Sequence, residues 1–362
     1  METQSTQSDN KIRVLFVSAS TRGGGAERML FNIIRSLDEK HQARLFITSD
    51  QTVPDVYSSD VEAINANKKH AFSAFFKLLG TMKHFKPRHV FTTSGNIGYL
   101  LVIAKKLLRA KFKIYIRCAV PPSEIYQRDI KTRLLSKIIS MTYNSADMII
   151  AQTDYSRHDL IKAYKLQPNK VHTIRNIVDH NFIASQATCG SAPELKTGNY
   201  NIIAVGALYS VKGFDILIEA ITPLLREDQH RHLYIIGEER YELGYRQILQ
   251  QMIDDRDLSN QIHLLGHKQN PHPYMKAADL LVMSSRKEGF PNVVLEALSL
   301  GTPVVATDVV DFTDVIIEGV NGYVSHKGST NQLSLTIKKA FTTTFSTKSK
   351  QLRNFDYNEL FC

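Results

Sequence analysis

Short apolar runs alternate along the whole chain with longer segments in which apolar residues recur every three or four positions. The first run, KIRVLFVS at 11–18, is β-branched and uninterrupted, as expected of a parallel strand buried on both faces. Three glycines follow, Gly23, Gly24 and Gly25, and then a helical pattern over 26–37. Further strands are predicted at 44–49, 89–93, 113–117, 146–152 and 170–175. The stretch 184–199, ASQATCGSAPELKTGN, is small and polar with Gly and Pro, the composition of a linker. Beyond it the alternation restarts, with strands predicted at 201–205, 232–236, 261–265, 279–283 and 303–306 and helices at 214–225 and 291–300. Alternating strands and helices imply a parallel sheet covered on both faces. The fold expected is therefore α/β, with two Rossmann-like, doubly wound domains facing a cleft. The N-terminal domain is expected over 1–183, the linker over 184–199 and the C-terminal domain over 200–345. The tail, 346–362, is expected to form a last helix that returns to the N-terminal domain.

Length agrees with that division, since 362 residues exceed one ordinary core and suit two domains of roughly 150–200. The three cysteines, Cys118, Cys189 and Cys362, are odd in number and far apart, which argues against a disulfide framework or a cysteine zinc site and for a reducing compartment. The first ten residues are polar and lack the apolar run of a signal peptide. The longest apolar stretches, such as 99–104, fall far short of the ~20 residues of a spanning helix. A cytoplasmic location is expected.

Charge changes the picture further. Residues 1–183 hold 28 Lys and Arg against 15 Asp and Glu, a net of +13; residues 184–362 hold 17 against 20, a net of −3. The excess is densest between Lys68 and Arg117. There Phe72, Phe75, Phe76, Leu79 and Met82 recur at helical spacing beside Lys69, Lys77, Lys83 and Lys86. Such a segment is either a core-facing helix with a solvated basic face or a surface resting on anionic lipid headgroups at the inner membrane face, worth about 1 kcal/mol per basic residue. No nucleic-acid-binding motif accompanies the charge, so nucleic acid is not an expected partner.

The densest chemistry lies in RKEGFPNVVLEALSLGTP, 286–303. Pro291 suits the first position of a helix, where its missing N–H is no loss. The amides of Asn292, Val293 and Val294 would then point out of the helix end and favour a phosphate. Glu288 lies just ahead of that end, and Glu296 one turn after Asn292 on the same face. Two carboxylates bracketing an anion site suit a ligand with phosphate in its middle and hydroxyls at both ends, as in a nucleotide sugar. In VGALYSVKGFDI, 205–216, a strand ends in Gly206 and a short loop carries Lys212, placed to reach a diphosphate at the carboxyl edge of the sheet. The loop RGGGAER, 22–28, would let backbone amides approach a ligand, but the third glycine of a dinucleotide fingerprint falls on Arg28. Asp50 alone would fit a dinucleotide site, so a dehydrogenase is disfavoured. His263, His267 and His272 carry no His-Glu-x-x-His pattern, and no metal site is expected.

Taken together, these segments resemble the retaining glycosyltransferases of family 4, which have the GT-B fold with the active site in the interdomain cleft. The likeness runs from the first strand to the last helices. It is most specific in EGFPNVVLEALSLGTPVVATD (288–308), then VGALYSVKGFDILIEA, GGAER (24–28) and IRNIVD (174–179). The resemblance implies transfer of a hexose or N-acetylhexosamine from a UDP- or GDP-sugar to a saccharide or lipid-linked acceptor, with retention. It implies that Glu288 holds hydroxyls of the transferred sugar, Glu296 the ribose, and Lys212 the diphosphate, aided by amides after Phe290 and Pro291. Gly24 and Gly25 would close over the donor. No metal or other cofactor is implied, since lysine and helix amides replace a divalent cation.

Two departures matter. Ala207 stands where the family usually has an arginine on the diphosphate; Lys268, Arg286 or Arg22 are the candidates to replace it. Arg117-Cys118 stands where relatives often carry a histidine, and Arg117, with Arg22, is a candidate for an acidic or phosphate-bearing acceptor. The missing arginine leaves open a regulator or scaffold that binds nucleotide sugars without turnover, and, with less support, a sugar-nucleotide epimerase.

Overall fold

The structure, a computed structural model, describes residues 11–21, 25–49, 59–67, 74–118, 122, 130–240, 242–346 and 354–362. The chain divides into two compact units, Met1–Ile177 with Asn354–Cys362, and Val178–Arg353.

The first unit is built on seven strands, β1 (Ile12–Ser18), β2 (His41–Ile47), β3 (Glu62–Asn65), β4 (His89–Thr92), β5 (Lys113–Cys118), β6 (Met148–Ala151) and β7 (Val171–Thr173). They lie in the order β3-β2-β1-β4-β5-β6-β7, every pair parallel. Helices α1 (Gly25–Arg35), α2 (Phe75–Phe85), α3 (Gly95–Leu107), α4 (Ile130–Tyr143) and α5 (Asp154–Tyr164) connect them. Along β1, Leu15 and Val17 join one apolar cluster while Val14 and Phe16 join another. Side chains alternate across a strand, so both faces of the sheet are covered, and this is why the strand reads as a continuous apolar run.

The second unit repeats the plan with β8 (Tyr200–Val205), β9 (Arg231–Ile236), β10 (Ile262–Gly266), β11 (Leu280–Met283), β12 (Val304–Thr307) and β13 (Gly322–Ser325). The order is β10-β9-β8-β11-β12-β13, again all parallel. Its helices are α6 (His180–Thr188), α7 (Phe214–Arg226), α8 (Tyr245–Asp254), α9 (His272–Ala277), α10 (Asn292–Ser299) and α11 (Thr330–Phe341). Ile202 and Ala204 pack to one face and Ile203 to the other. In each unit the strand order reverses once, between β1 and β4 and between β8 and β11. In open α/β sheets that reversal opens a crevice at the carboxyl ends, where ligands bind.

Two strands escape the hydrophobic pattern, β3 and β13. Each is four residues long and sits at a sheet edge, so it needs no long apolar run. The expected boundary also moves. The units divide after Ile177, and α6 occupies His180–Thr188, capped by Asp179, whose side chain accepts from the Phe182 amide. Ile183 lies in the second unit's core, with Ala192 and Leu195 packed against it. Glu194 accepts from Lys268 Nζ at 2.5 Å and from the Tyr274 hydroxyl at 2.6 Å. Residues 184–199 are thus a strap on the second unit rather than a free linker: a polar composition does not prevent a few apolar residues from docking.

The tail ends in α12 (Tyr357–Leu360), and residues 354–362 belong to the first unit. Tyr357 and Phe361 are fully buried. The Phe361 ring meets Phe16, Phe91 and Tyr115 at centroid separations of 5.4–6.0 Å, and the Tyr115 hydroxyl donates to the Leu360 carbonyl at 3.0 Å. Helix α2 turns Phe75, Leu78, Met82 and Phe85 into the core and leaves Lys83 and Lys86 exposed, a solvated basic face that both sequence readings share. Phe76, at 77% exposure, is its outlying apolar side chain. Lys68, Lys69 and Phe72 lie outside the described residues.

Candidate active site in the second unit

Strand β8 ends at the crevice beside β11, and both strands lead into loops that carry charge. After β8 the chain passes Gly206 and Ala207, makes a 3-10 turn over Ser210–Lys212, and enters α7 through Gly213. Gly213 is left-handed, with φ +65°, and a Cβ there would lie 2.1 Å from the Ser284 carbonyl oxygen. Only glycine lets the turn press so closely on the end of β11. That contact brings Lys212 beside the second loop. The Lys212 Nζ donates to Glu288 Oε1 at 2.6 Å, and the Ser285 hydroxyl donates to the same oxygen at 2.8 Å. Lys212 also lies over Gly206, where a Cβ would meet its Cε at 3.3 Å. Both partners keep some exposure, 20% for the lysine side chain and 14% for the glutamate.

A clamp holds this arrangement. The Arg286 guanidinium makes a bidentate pair with Asp215 at 2.7 and 2.6 Å and donates to the Ser210 carbonyl at 2.6 Å. Its amide donates to the Val211 carbonyl at 2.8 Å. The Tyr245 hydroxyl donates to Asp215 at 2.8 Å, and the Ser210 amide donates to Glu242. Burial alone would raise the Asp215 carboxyl, but the Arg286 and Tyr245 donors outweigh it and hold Asp215 below the ordinary carboxylate range. Four bonds thus tie the lysine loop to the segment just ahead of Glu288.

Helix α10 starts at Asn292, with Pro291 one position earlier than expected, as the cap residue rather than the first helical one. Pro291 has no side-chain cap to offer, and the Val294 amide donates back to the Pro291 carbonyl at 3.3 Å. That bond engages one of the three amides expected to face an anion. The Phe290 ring is buried against Phe312, so this residue contributes backbone at the helix entrance and apolar packing beneath it. Glu296, one turn in, is only 6% exposed.

The structure thus brings Gly206, Lys212, Glu288, Phe290 and the start of α10 to the carboxyl edge of one sheet. Gly25 opens α1 in the first unit, while Gly23, Gly24, Arg22 and Asp50 lie outside the described residues. Arg117 must be corrected. It is 1% exposed and donates to the Ile174 carbonyl at 3.0 Å, to Asn176 Oδ1 and to the Tyr357 hydroxyl at 3.4 Å. A guanidinium so enclosed braces the tail and cannot meet an acceptor. Two candidates to replace the missing arginine at Ala207 are also engaged elsewhere, Arg286 by Asp215 and Lys268 by Glu194. The three histidines weighed for a metal point to different partners: His263 stacks on Tyr234, His267 nears Glu238 and His272 nears Glu296. Sequence reasoning missed Ser285 and the Asp215–Arg286 clamp. The only available signal was their proximity in sequence to Lys212 and Glu288.

Comparison with known proteins finds relatives of both units. A family model described as Glycosyltransferase Family 4 matches residues 23–182, and one described as Glycosyl transferases group 1 matches 199–342. An uncharacterised glycosyltransferase of Methanocaldococcus jannaschii is 27% identical over 64% of this chain and 58% of its own length. The N-acetylgalactosamine-N,N'-diacetylbacillosaminyl-diphospho-undecaprenol 4-alpha-N-acetylgalactosaminyltransferase of Campylobacter jejuni is 25% identical over 80% of this chain and 79% of its own. Among solved structures, Anabaena HepE in complex with UDP-glucose superposes with a TM-score of 0.76 at 21% identity, covering 91% of this chain and 90% of that one. At that identity the likeness shows the fold, which is GT-B.

Proposed function

The chain belongs to the family 4, group 1 glycosyltransferases, and on that premise we propose that it moves a hexose or N-acetylhexosamine from a UDP- or GDP-sugar to a saccharide or lipid-linked acceptor with retention of configuration. One observation carries this reading: Lys212 and Glu288 meet at 2.6 Å at the reversal point of the second sheet, beside the start of α10. The ligand-free ion pair matches the charge a donor would bring. On binding, the diphosphate takes Lys212 and the amides of α10, and the sugar hydroxyls donate to Glu288. The bond from the anomeric carbon to the diphosphate oxygen then breaks, with its electron pair going to an oxygen that Lys212 stabilises. The acceptor hydroxyl attacks from the face that the leaving group departs, and its proton passes to the diphosphate. Glu296 holds the ribose. In this reading lysine and helix amides take the place of a divalent cation.

UDP is favoured by the fold neighbour bound to UDP-glucose, and a lipid-linked acceptor by the Campylobacter relative. The basic first unit is the surface that would lie on anionic lipid at the inner face of a membrane. There Lys83, Lys86, Arg88 and Lys111 rim a groove floored by Met82 and Phe112. No described helix is long and apolar enough to cross a membrane, so attachment in this reading is peripheral.

Thermal shift against UDP, GDP, their sugars and NAD tests the donor assignment. Ligand at about a hundred times its dissociation constant stabilises by roughly 2.7 kcal/mol. A shift with one nucleotide family, abolished in E288A/E296A, is the expected result; a shift with NAD alone would exclude it. A specific observation favours a second reading. Ala207 removes the usual cation, and Arg286 and Lys268 are held by carboxylates. A chain that binds donor normally but transfers to no acceptor extract would be a regulator of the same fold.

A further inference from the structure

Glu288 meets two donors, and they differ in kind. The Lys212 Nζ and the Ser285 hydroxyl both donate to Oε1, at 2.6 and 2.8 Å. Together they fill the two lone pairs of that oxygen, and among the described residues nothing donates to Oε2. Lys212 reaches the carboxylate on a flexible four-carbon stem, and its side chain is 20% exposed. Ser285 is 1% exposed and carries its hydroxyl on a single short arm. Its main chain is pinned as well, because the Thr307 hydroxyl, equally buried at the end of β12, donates to the Ser285 carbonyl at 2.7 Å. The residue before it, Ser284, is also buried, and its hydroxyl donates to the Lys212 carbonyl at 3.2 Å. Two consecutive serines just past β11 thus serve the two members of the ion pair separately, one through the backbone of the lysine and one through the carboxylate of the glutamate.

A diphosphate that draws Lys212 away takes the accessible donor and leaves Glu288 to the enclosed one. Without that second donor the carboxylate would be free to turn, and the arriving sugar would have to order it at a cost in affinity. We propose that Ser285 is a positioning residue for the transferred sugar: its hydroxyl holds Glu288 Oε1 once the diphosphate has taken Lys212, and so keeps Oε2 turned to the sugar hydroxyls. This presupposes that Glu288 holds those hydroxyls, as proposed above, and it names the group that keeps the carboxylate in place when its ion pair opens. Buried as it is, the serine hydroxyl acts only through Glu288. It sets how much the sugar adds to the affinity of the nucleoside diphosphate, and it leaves the hold on the diphosphate itself to Lys212 and the start of α10.

The test is calorimetric titration of the full chain with UDP and GDP and with UDP-glucose, UDP-N-acetylglucosamine and GDP-mannose, following the tightest sugar nucleotide beside its parent diphosphate. S285A should bind the sugar nucleotide about tenfold more weakly, the range for losing one hydrogen bond to a charged group, with its melting temperature nearly unchanged. Its affinity for the parent diphosphate should stay within about threefold of wild type, a split that a merely structural role would not produce. S285T, which keeps the hydroxyl, should recover most of the loss, and E288Q/S285A should be no worse than E288Q. S284A, which frees the lysine backbone instead, should weaken both ligands alike. An S285A protein that folds and keeps the full contribution of the sugar, or one that loses both ligands equally in the manner of S284A, overturns the inference alone. Additive losses in E288Q/S285A overturn it too. If S285A does not fold, S285C, which keeps the bulk and donates only weakly, is held to the same criteria. A wild-type chain that binds no nucleotide, or a sugar that adds nothing in wild type and E288A alike, would instead overturn the functional reading beneath it.

Discussion

The two units are wound in the same strand order, yet they use their polar groups in opposite ways. At the carboxyl end of β5 the first unit buries Arg117 completely and spends its donors on a backbone carbonyl, an amide oxygen and the hydroxyl of Tyr357. Burial pulls that guanidinium below its ordinary range, with the Tyr357 hydroxyl opposing the shift. At the carboxyl ends of β8 and β11 the second unit leaves Lys212 and Glu288 partly open, each with a partner that a ligand can replace. The lesson is that residue type at a strand end does not separate an accessible cation from a structural one. Enclosure and the nature of the partner do. The same contrast appears in net charge: between Glu62 and Glu124 there are twelve Lys and Arg and no Asp or Glu, while 184–362 is slightly acidic. The basic excess sits on the unit that lacks the Lys212–Glu288 pair.

The comparison breaks most sharply at Lys212. K212M should lower kcat by about 10²–10³-fold, the range for removing one preorganised donor to a developing negative charge, while the melting temperature changes little. Steady-state kinetics beside a melting curve checks both halves. Activity close to wild type would mean that the cation serving the diphosphate lies elsewhere. In the first unit the outcome should be reversed. F361A removes a fully buried ring from contact with Phe16, Phe91 and Tyr115 and should cost about 3–5 kcal/mol of stability. Nucleotide affinity measured below the melting transition should not move, and a large loss there would mean that the tail serves the donor site.

A smaller effect separates the clamp from the site it holds. R286K cannot reproduce the bidentate pair with Asp215, so kcat should fall about tenfold as Lys212 loses its fixed position. D215N should give a similar loss, and the double variant little more than either alone. Additive losses would show that Arg286 itself touches the donor. The smallest effect is on acid stability. Burial, with the nearby Lys113 and Arg88 charges, pushes His89 down to about 4; burial, with Lys196 and His263, pushes His232 to about 4 in the second unit. The unfolded chain binds protons at these rings from the ordinary pKa of about 6.5. Stability from this source is therefore whole above that pH and falls as the pH drops towards 4. Melting curves of H89F should lose part of that slope, and an unchanged slope would place it elsewhere.

Much of this was legible in the chain itself. Alternating apolar runs located most of the strands, because a parallel sheet buried on both faces needs uninterrupted apolar segments. The edge strands β3 and β13 were not legible, since a short edge strand carries no such run. Glu288, Glu296 and Lys212 stood out because a strand end, a turn glycine and a helix start converge there within a few residues. The contact of Lys212 with Glu288 depended on Gly213 letting the turn press on Ser284, a long-range fact with no local pattern. Arg117 misled for the complementary reason. A strand end reads the same whether it meets solvent or a tail that returns from 240 residues away. His272 stood in the sequence as one of three candidate ligands, and only the fold showed its ring against Glu296.

The central claim is that the donor is held by the second unit, at the crevice between β8 and β11. Hydrogen–deuterium exchange of the full chain, with and without saturating UDP or GDP, tests it most directly. The account predicts slowed exchange in peptides covering 206–214 and 284–299, with the same peptides unaffected by nucleotide in K212M/E296Q. Protection confined to the first unit, or spread over peptides that exclude both loops, would contradict it.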